Sequence, residues 1–163
     1  KILIENEKNF KAEIANDNSD GQIVLSGKTK DIESLSKILK EEKIKNIKLP
    51  VSAPFHSSLM NKATRIMKDE LKNINLKNSF NILISNVTAS EILKIEKIKD
   101  LLVKQIESRV RWRESVINMI NKGVNHFIEI GPGKVLSGLV KRINKDVKVD
   151  SINSEADIES IKI

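Results

Sequence analysis

HFIEIGPGKVLSGLVKRINKDVKVDSI, residues 126–152, carries the pattern on which the fold turns. HFIEI (126–130) is a short apolar run of the length and composition of a buried strand. Gly131-Pro132-Gly133 breaks it. Val135, Leu136, Leu139, Val140 and Ile143 then recur at helical spacing, which predicts a helix with those residues inward. VKVDSI (147–152) supplies another strand. Strands alternating with helices predict an α/β sheet.

Upstream, the spacing predicts helices around 96–106 and 112–122, the second with Trp112, Val116 and Ile120 on one face and Lys122-Gly123 as its stop. FNILIS (80–85) is a continuous apolar run, suited to a strand buried on both faces of a parallel sheet. LPVSAPFHSSLM (49–60) is a proline-marked loop in which Ser57 or Ser58 can cap a helix reaching about Asn73. That helix repeats Leu59, Met60, Ala63, Ile66, Met67, Leu71 and Ile74 every three or four residues. Near the start, the turn signal Asn18-Ser19-Asp20-Gly21 precedes a predicted strand QIVLS (22–26). Thr29 or Asp31 can cap the next helix, with Ile32, Leu35, Ile38 and Leu39 on one face. IKNIKL (44–49) alternates as a half-buried strand does. Strand, helix and strand in this span resemble half of a small α+β sandwich.

Composition narrows the functional classes. Of 163 residues, 39% are hydrophobic and 31% charged, the balance of a globular chain. No apolar run approaches the ~20 residues of a membrane span, and KILIENEKNF lacks the pattern of a signal peptide. The first residue is lysine, so the reading expects a longer parent chain. There is no cysteine, which excludes disulfide and thiol chemistry and predicts a cytoplasmic setting. The net charge of +7 favours an acidic partner. Its lysines are scattered, however, and aromatics make up only 3%, so nucleic-acid and membrane binding are not expected.

Few residues suit chemistry. Gly131-Pro132-Gly133-Lys134 could place phosphate at a helix start, but it fits neither phosphate-binding glycine motif and Pro132 lacks an N–H. A tight structural turn is the preferred reading. Of the two histidines, His126 begins a predicted strand with no ligand-spaced partner, so no metal site is expected. His56 stands at a loop-to-helix junction. It is either a titrating surface residue or a general base, and a base needs a nucleophile and an orienting third group. No GxSxG elbow exists in the chain, and Ser57 and Ser58 follow the histidine directly. By themselves these residues give half of a catalytic device and no reaction.

Five stretches in order resemble one family, the malonyl-CoA:acyl-carrier-protein transacylases: ANDNSDGQIVLSG (15–27), LPVSAPFHSSLM (49–60), ISNVTA (84–89), VKQIESRVRW (103–112) and FIEIGPGKVLSGLVKRI (127–143). The resemblance implies the C-terminal part of an α/β-hydrolase-like acyltransferase domain plus most of an inserted ferredoxin-like subdomain. Residues 1–49 would be the small subdomain, truncated at its start, and residues 50–163 the large-domain part. It implies malonyl transfer to the phosphopantetheine thiol of acyl carrier protein in fatty-acid synthesis, by a ping-pong serine/histidine mechanism. His56 falls on the family's catalytic histidine, and Gln105 on the residue whose backbone carbonyl orients it. Phe55 falls on the phenylalanine beside that histidine in malonyl-selective domains, where its bulk would crowd an α-methyl group. Asn16 and Asn18 fall near the cleft between subdomains, or are simply turn-forming side chains.

The serine, the oxyanion-hole amides and the malonyl-binding arginine lie in the part not matched here, so the isolated chain is expected to be inactive. The resemblance implies no cofactor or metal, a coenzyme A thioester and the acidic carrier protein as partners, and a monomer. Lys134, Lys141 and Arg142 are candidates for docking the carrier. Alternatives are an acyltransferase domain of a polyketide synthase and a non-catalytic carrier-protein-binding module.

Overall fold

The computed structural model describes residues 12–77 and 81–161. Two antiparallel strands open the described chain, β1 (Glu13–Ser19) and β2 (Gln22–Ser26). Asp20-Gly21 alone make the turn, with Gly21 at φ 73°, while Asn18 and Ser19 belong to β1. The polar residues of EIANDNS conceal that strand from a pattern-based reading.

Helix α1 (Thr29–Glu41) packs Leu35 and Leu39 against Ala12, with Ile32 and Leu25 alongside. Ile38 lies at the margin of that stripe and is 48% exposed. Neither Thr29 nor Asp31 caps the helix, because Lys28 is the N-cap and no side chain bonds there. IKNIKL forms no strand. Among the described residues no strand lies beside it, and the Asn46 side chain takes up local groups instead: it accepts from Ser36 Oγ at 2.6 Å and donates to the Ile44 carbonyl at 3.0 Å.

After the proline loop, a 3₁₀ turn (Ser58–Met60) leads into α2 (Asn61–Glu70) and a second 3₁₀ turn (Leu71–Asn73), which matches the predicted helical span. The serines do not cap it, since Ser57 Oγ donates to Pro54 O and Ser58 Oγ to Glu13. FNILIS departs most from expectation. Phe80 lies outside the described residues, and only β3 (Ile84–Ser85) pairs, antiparallel, with β4 (Ser90–Glu91). The chain reverses at once: Ala89, at φ 54°, donates its N–H to Ser85 O at 2.8 Å. Ile82 is therefore 73% exposed rather than buried between layers.

Helices α3 (Glu96–Gln105) and α4 (Trp112–Asn121) precede the strand–helix–strand unit, β5 (His126–Ile130), α5 (Val135–Ile143) and β6 (Lys148–Ile152). β5 and β6 pair in parallel, His126 opposite Lys148 through Ile130 opposite Ile152. Val116, Val140 and Val147 form the core beneath them, ringed by Trp112, Met119, Ile120, Phe127, Ile143 and Val149. Val135 and Leu136, expected inward, are exposed in the first turn of α5, as is Ile130 at the end of β5. A short helix α6 (Glu155–Ser160) closes the described chain with a capping box from Ser154 and Asp157.

The glycine turn is structural. Gly131 and Gly133 hold φ values of 134° and 96°, and the Glu129 carboxylate accepts the N–H groups of Leu136 (3.1 Å) and Ser137 (2.7 Å). The protein's own anion thus fills the helix start that a phosphate would use.

Val116 is fully buried, so Val116→Ala should lower unfolding stability by about 2 kcal/mol through lost burial and a cavity. Ile38→Ala should stay within about 0.5 kcal/mol. Urea unfolding of both variants tests which helix face carries the core.

Candidate active site

Helix α3 ends at Gln105, and the chain after it leaves carbonyls that no later amide in the helix can reach. The last turn's N–H groups return to Val103 and Lys104: Ile106 to Val103 O, Glu107 and Ser108 to Lys104 O. The carbonyls of Gln105 and Ile106 are taken instead by His56. Its backbone N–H donates to Ile106 O at 3.2 Å, and its ring Nδ1 lies 2.9 Å from Gln105 O.

This second contact fixes the tautomer. A carbonyl only accepts, so at 2.9 Å Nδ1 must carry the proton. The Gln105 side-chain nitrogen also stands 3.4 Å from Nδ1. It could bond there only if Nδ1 were bare, and the shorter carbonyl contact excludes that. The neutral ring therefore keeps its lone pair on Nε2, which takes no hydrogen bond among the described residues. A half-buried imidazole with a held Nδ1–H and a free Nε2 can accept a proton and return it.

His56 pays for this placement in backbone strain. Its φ is 57°, the left-handed region that non-glycine residues rarely enter, though histidine does so more readily than most. Such a conformation persists where its surroundings over-determine it. Ser57, fully buried, closes the turn by donating Oγ–H to Pro54 O at 2.7 Å. This strain is the signal that sequence reasoning missed, since nothing in residue spacing reports a positive φ.

The remaining candidates lie at different distances from this pair. Phe55 immediately precedes the histidine and is 47% exposed. Asn16 and Asn18 are half-buried on β1, on the face opposite Asp17 and Ser19, and neither bonds to His56 or Gln105. Asn16 does form a bridge with Val110: Val110 N–H donates to Ala15 O at 2.8 Å, and Asp17 N–H to Val110 O at 2.9 Å. The strand carrying the asparagines is thereby sewn to the segment that follows Gln105. Lys141 turns its ammonium onto the carbonyls of Lys145 (3.2 Å) and Val147 (2.7 Å), and Arg142 bonds Gln22. Among the described residues, no three potential metal ligands converge, and no helix is long and apolar enough to cross a membrane.

Two arginines brace the segment behind Gln105. Arg113 grips the buried Asp17 carboxylate through Nε at 3.2 Å and Nη2 at 3.1 Å, and reaches Asp20 at 2.8 Å. Arg111 pairs with Glu114 while donating to Val87 O, so it joins α4 to the β3–β4 turn. Neither arginine was singled out by motif: Arg113 finds its carboxylates on β1 and the turn after it, and Arg111, though paired within its own helix start, acts by reaching Val87.

Hydrogen bonding from Arg111 holds the Glu114 carboxyl below its ordinary value of 4.5. A carboxyl depressed by folding contributes stability above its unfolded value and loses it as pH falls through the folded one. Glu114→Gln should therefore flatten the acid limb of the stability curve below about pH 4.5. Thermal unfolding across pH 3–7 for both proteins measures this.

Comparison with known proteins places this geometry in context. No protein-family model matches the chain. It is 44% identical over 148 residues to the malonyl CoA-acyl carrier protein transacylase of Bacillus subtilis, a match covering 90% of this chain and 47% of that protein. The crystal structure of an acyl-carrier-protein-S-malonyltransferase from Bartonella henselae superposes with a TM-score of 0.89 at 42% identity. That match covers 98% of this chain and 51% of the other. A malonyl-transacylase in complex with its type II PKS acyl-carrier protein superposes at 0.88 with 31% identity, over 97% of this chain and 52% of that one. The chain thus spans about half the length of the relatives it matches.

Proposed function

We propose that this chain, a homologue of the malonyl CoA-acyl carrier protein transacylases over half their length, supplies the general base of a malonyl transfer. The observation that carries the reading is the 2.9 Å contact between His56 Nδ1 and the Gln105 carbonyl, which leaves Nε2 as the working nitrogen.

The transfer runs in two halves. A serine hydroxyl from outside these residues attacks the malonyl thioester carbonyl while Nε2 of His56 takes its proton. The C–S bond breaks, coenzyme A leaves as thiolate, and the imidazolium returns the proton to sulfur. The thiol of a phosphopantetheine arm then gives its proton to Nε2 and attacks the serine ester, and the serine oxygen leaves with that proton. The Gln105 carbonyl holds the ring and stabilises it when charged, a task that needs no acidic side chain. Phe55, next to the base, narrows the space beside the α-carbon and disfavours branched acyl groups. Asn16 and Asn18 line the approach from β1.

Residues 1–49 are read as the small ferredoxin-like subdomain and 50–163 as part of the large domain, with acyl carrier protein as the second substrate and no cofactor. The structure of a relative bound to its acyl-carrier protein supports that choice of partner. Fatty-acid synthesis is the preferred setting over a polyketide synthase.

In the complete enzyme, His56→Ala should lower kcat/KM by about 10²–10⁴-fold. Gln105→Ala keeps its backbone carbonyl and should lose less than about tenfold, roughly 1.4 kcal/mol of barrier. A His56→Ala enzyme of wild-type rate would remove the base assignment. A dead but folded Gln105→Ala would transfer the orienting role to the amide side chain. The 163-residue chain alone, incubated with radiolabelled malonyl-CoA, should form no acyl-enzyme.

A further inference from the structure

We propose that Glu13 is a positioning residue for the base, and that strand β1 sets the spacing between His56 and the carbonyl that orients it. The inference rests on His56 being the base, as argued above.

A left-handed histidine must be held from both sides, since the conformation is strained for a residue with a side chain. On the upstream side, Ser57 Oγ ties back to Pro54 and the His56 N–H to Ile106. The downstream anchor comes from forty-five residues away. Ser58 N–H donates to both carboxylate oxygens of Glu13 at 3.1 Å, and Ser58 Oγ–H donates to Oε1 at 2.5 Å. The residue two places after His56 is thereby bolted to the start of β1.

The same strand grips the other half of the pair. Two residues along from Glu13, the Ala15 carbonyl accepts Val110 N–H, and Asp17 N–H returns to Val110 O. Asp17 then holds Arg113. Glu13, Ala15 and Asp17 belong to one strand, and its pairing with β2 shifts register at Ala15, the residue whose carbonyl accepts from Val110 instead. One end of this strand is attached to the turn carrying the imidazole, and the other to the chain leaving Gln105. The Nδ1–carbonyl contact is held between two points of one strand.

A carboxylate suits the task. It accepts only, so both oxygens can receive donors at once, and charge-assisted bonds of this kind are short. Glutamine has the same shape, but its amide nitrogen would face the Ser58 N–H, donor against donor.

The test uses the complete enzyme with Glu13→Gln and Ser58→Ala, and His56→Ala as control. Glu13→Gln should lower kcat about tenfold, with KM for malonyl-CoA changed less than about twofold, because displacement at the reacting groups affects rate more than binding. Ser58→Ala keeps the amide bond and should lose about threefold in kcat. Imidazole ¹⁵N spectra should show His56 as the Nδ1–H tautomer in the wild type and a mixture in Glu13→Gln. Wild-type kcat in Glu13→Gln, or a fall in kcat with the tautomer signature intact, overturns the proposal. If Glu13→Gln does not fold, Ser58→Ala decides alone: the smaller loss with altered ¹⁵N shifts supports it, and no change overturns it. Failure of the base assignment itself shows separately, as an active His56→Ala.

Discussion

An imidazole N–H resting on a main-chain carbonyl forty-nine residues away is the contact around which this chain is arranged. A carbonyl at a helix end is an available acceptor because helices leave their last carbonyls unpaired. Its position is also fixed more firmly than that of a carboxylate on a flexible stem. The requirement is that the helix end and the histidine turn keep their distance. β1 meets it with ladder bonds to Val110 on one side and the Glu13 carboxylate on the other. Arg113, bonded to the buried Asp17, locks the same strand against α4.

The rest of the molecule is less self-contained than this centre. Among the described residues the interior is divided between two small clusters, one under α1 and one between α4, α5 and the parallel pair. Parallel strands are ordinarily covered on both faces, yet Ile130, Val135 and Leu136 gather bare at the end of β5, and Ile82 and Leu83 stand out beside β3. These apolar residues stand exposed in a chain that spans about half the length of the relatives it matches. The positive charge, by contrast, is largely dispersed, and some of it is already committed. Lys141 serves the carbonyls after α5.

What could be read from residue order was whatever has a local cause. The helices at 29–41, 61–70, 96–105, 112–121 and 135–143 follow from repeating apolar positions, and β5 and β6 from apolar runs bounded by glycine and polar turns. The glycine turn was legible for the same reason. Its two positive φ angles are a property of Gly131 and Gly133 themselves. Errors came where a partner decides the outcome. IKNIKL alternates like a strand but has no strand beside it, and FNILIS is apolar enough for a core yet turns back at Ala89. The serines before α2 have capping chemistry but spend it on Pro54 and Glu13.

The candidate site divides along the same line. Sequence order alone determined that His56 stands before a helix, that Phe55 adjoins it, and that no nucleophile elbow accompanies it. The resemblance pointed to Gln105. Tertiary structure decided the tautomer of His56, its left-handed backbone, and the roles of Glu13, Val110 and Arg113 in holding it. The physical reason is range. Propensity and periodicity act over a few neighbouring residues, whereas a hydrogen bond between Glu13 and Ser58, or His56 and Gln105, exists only after the chain has closed loops of forty-five residues or more.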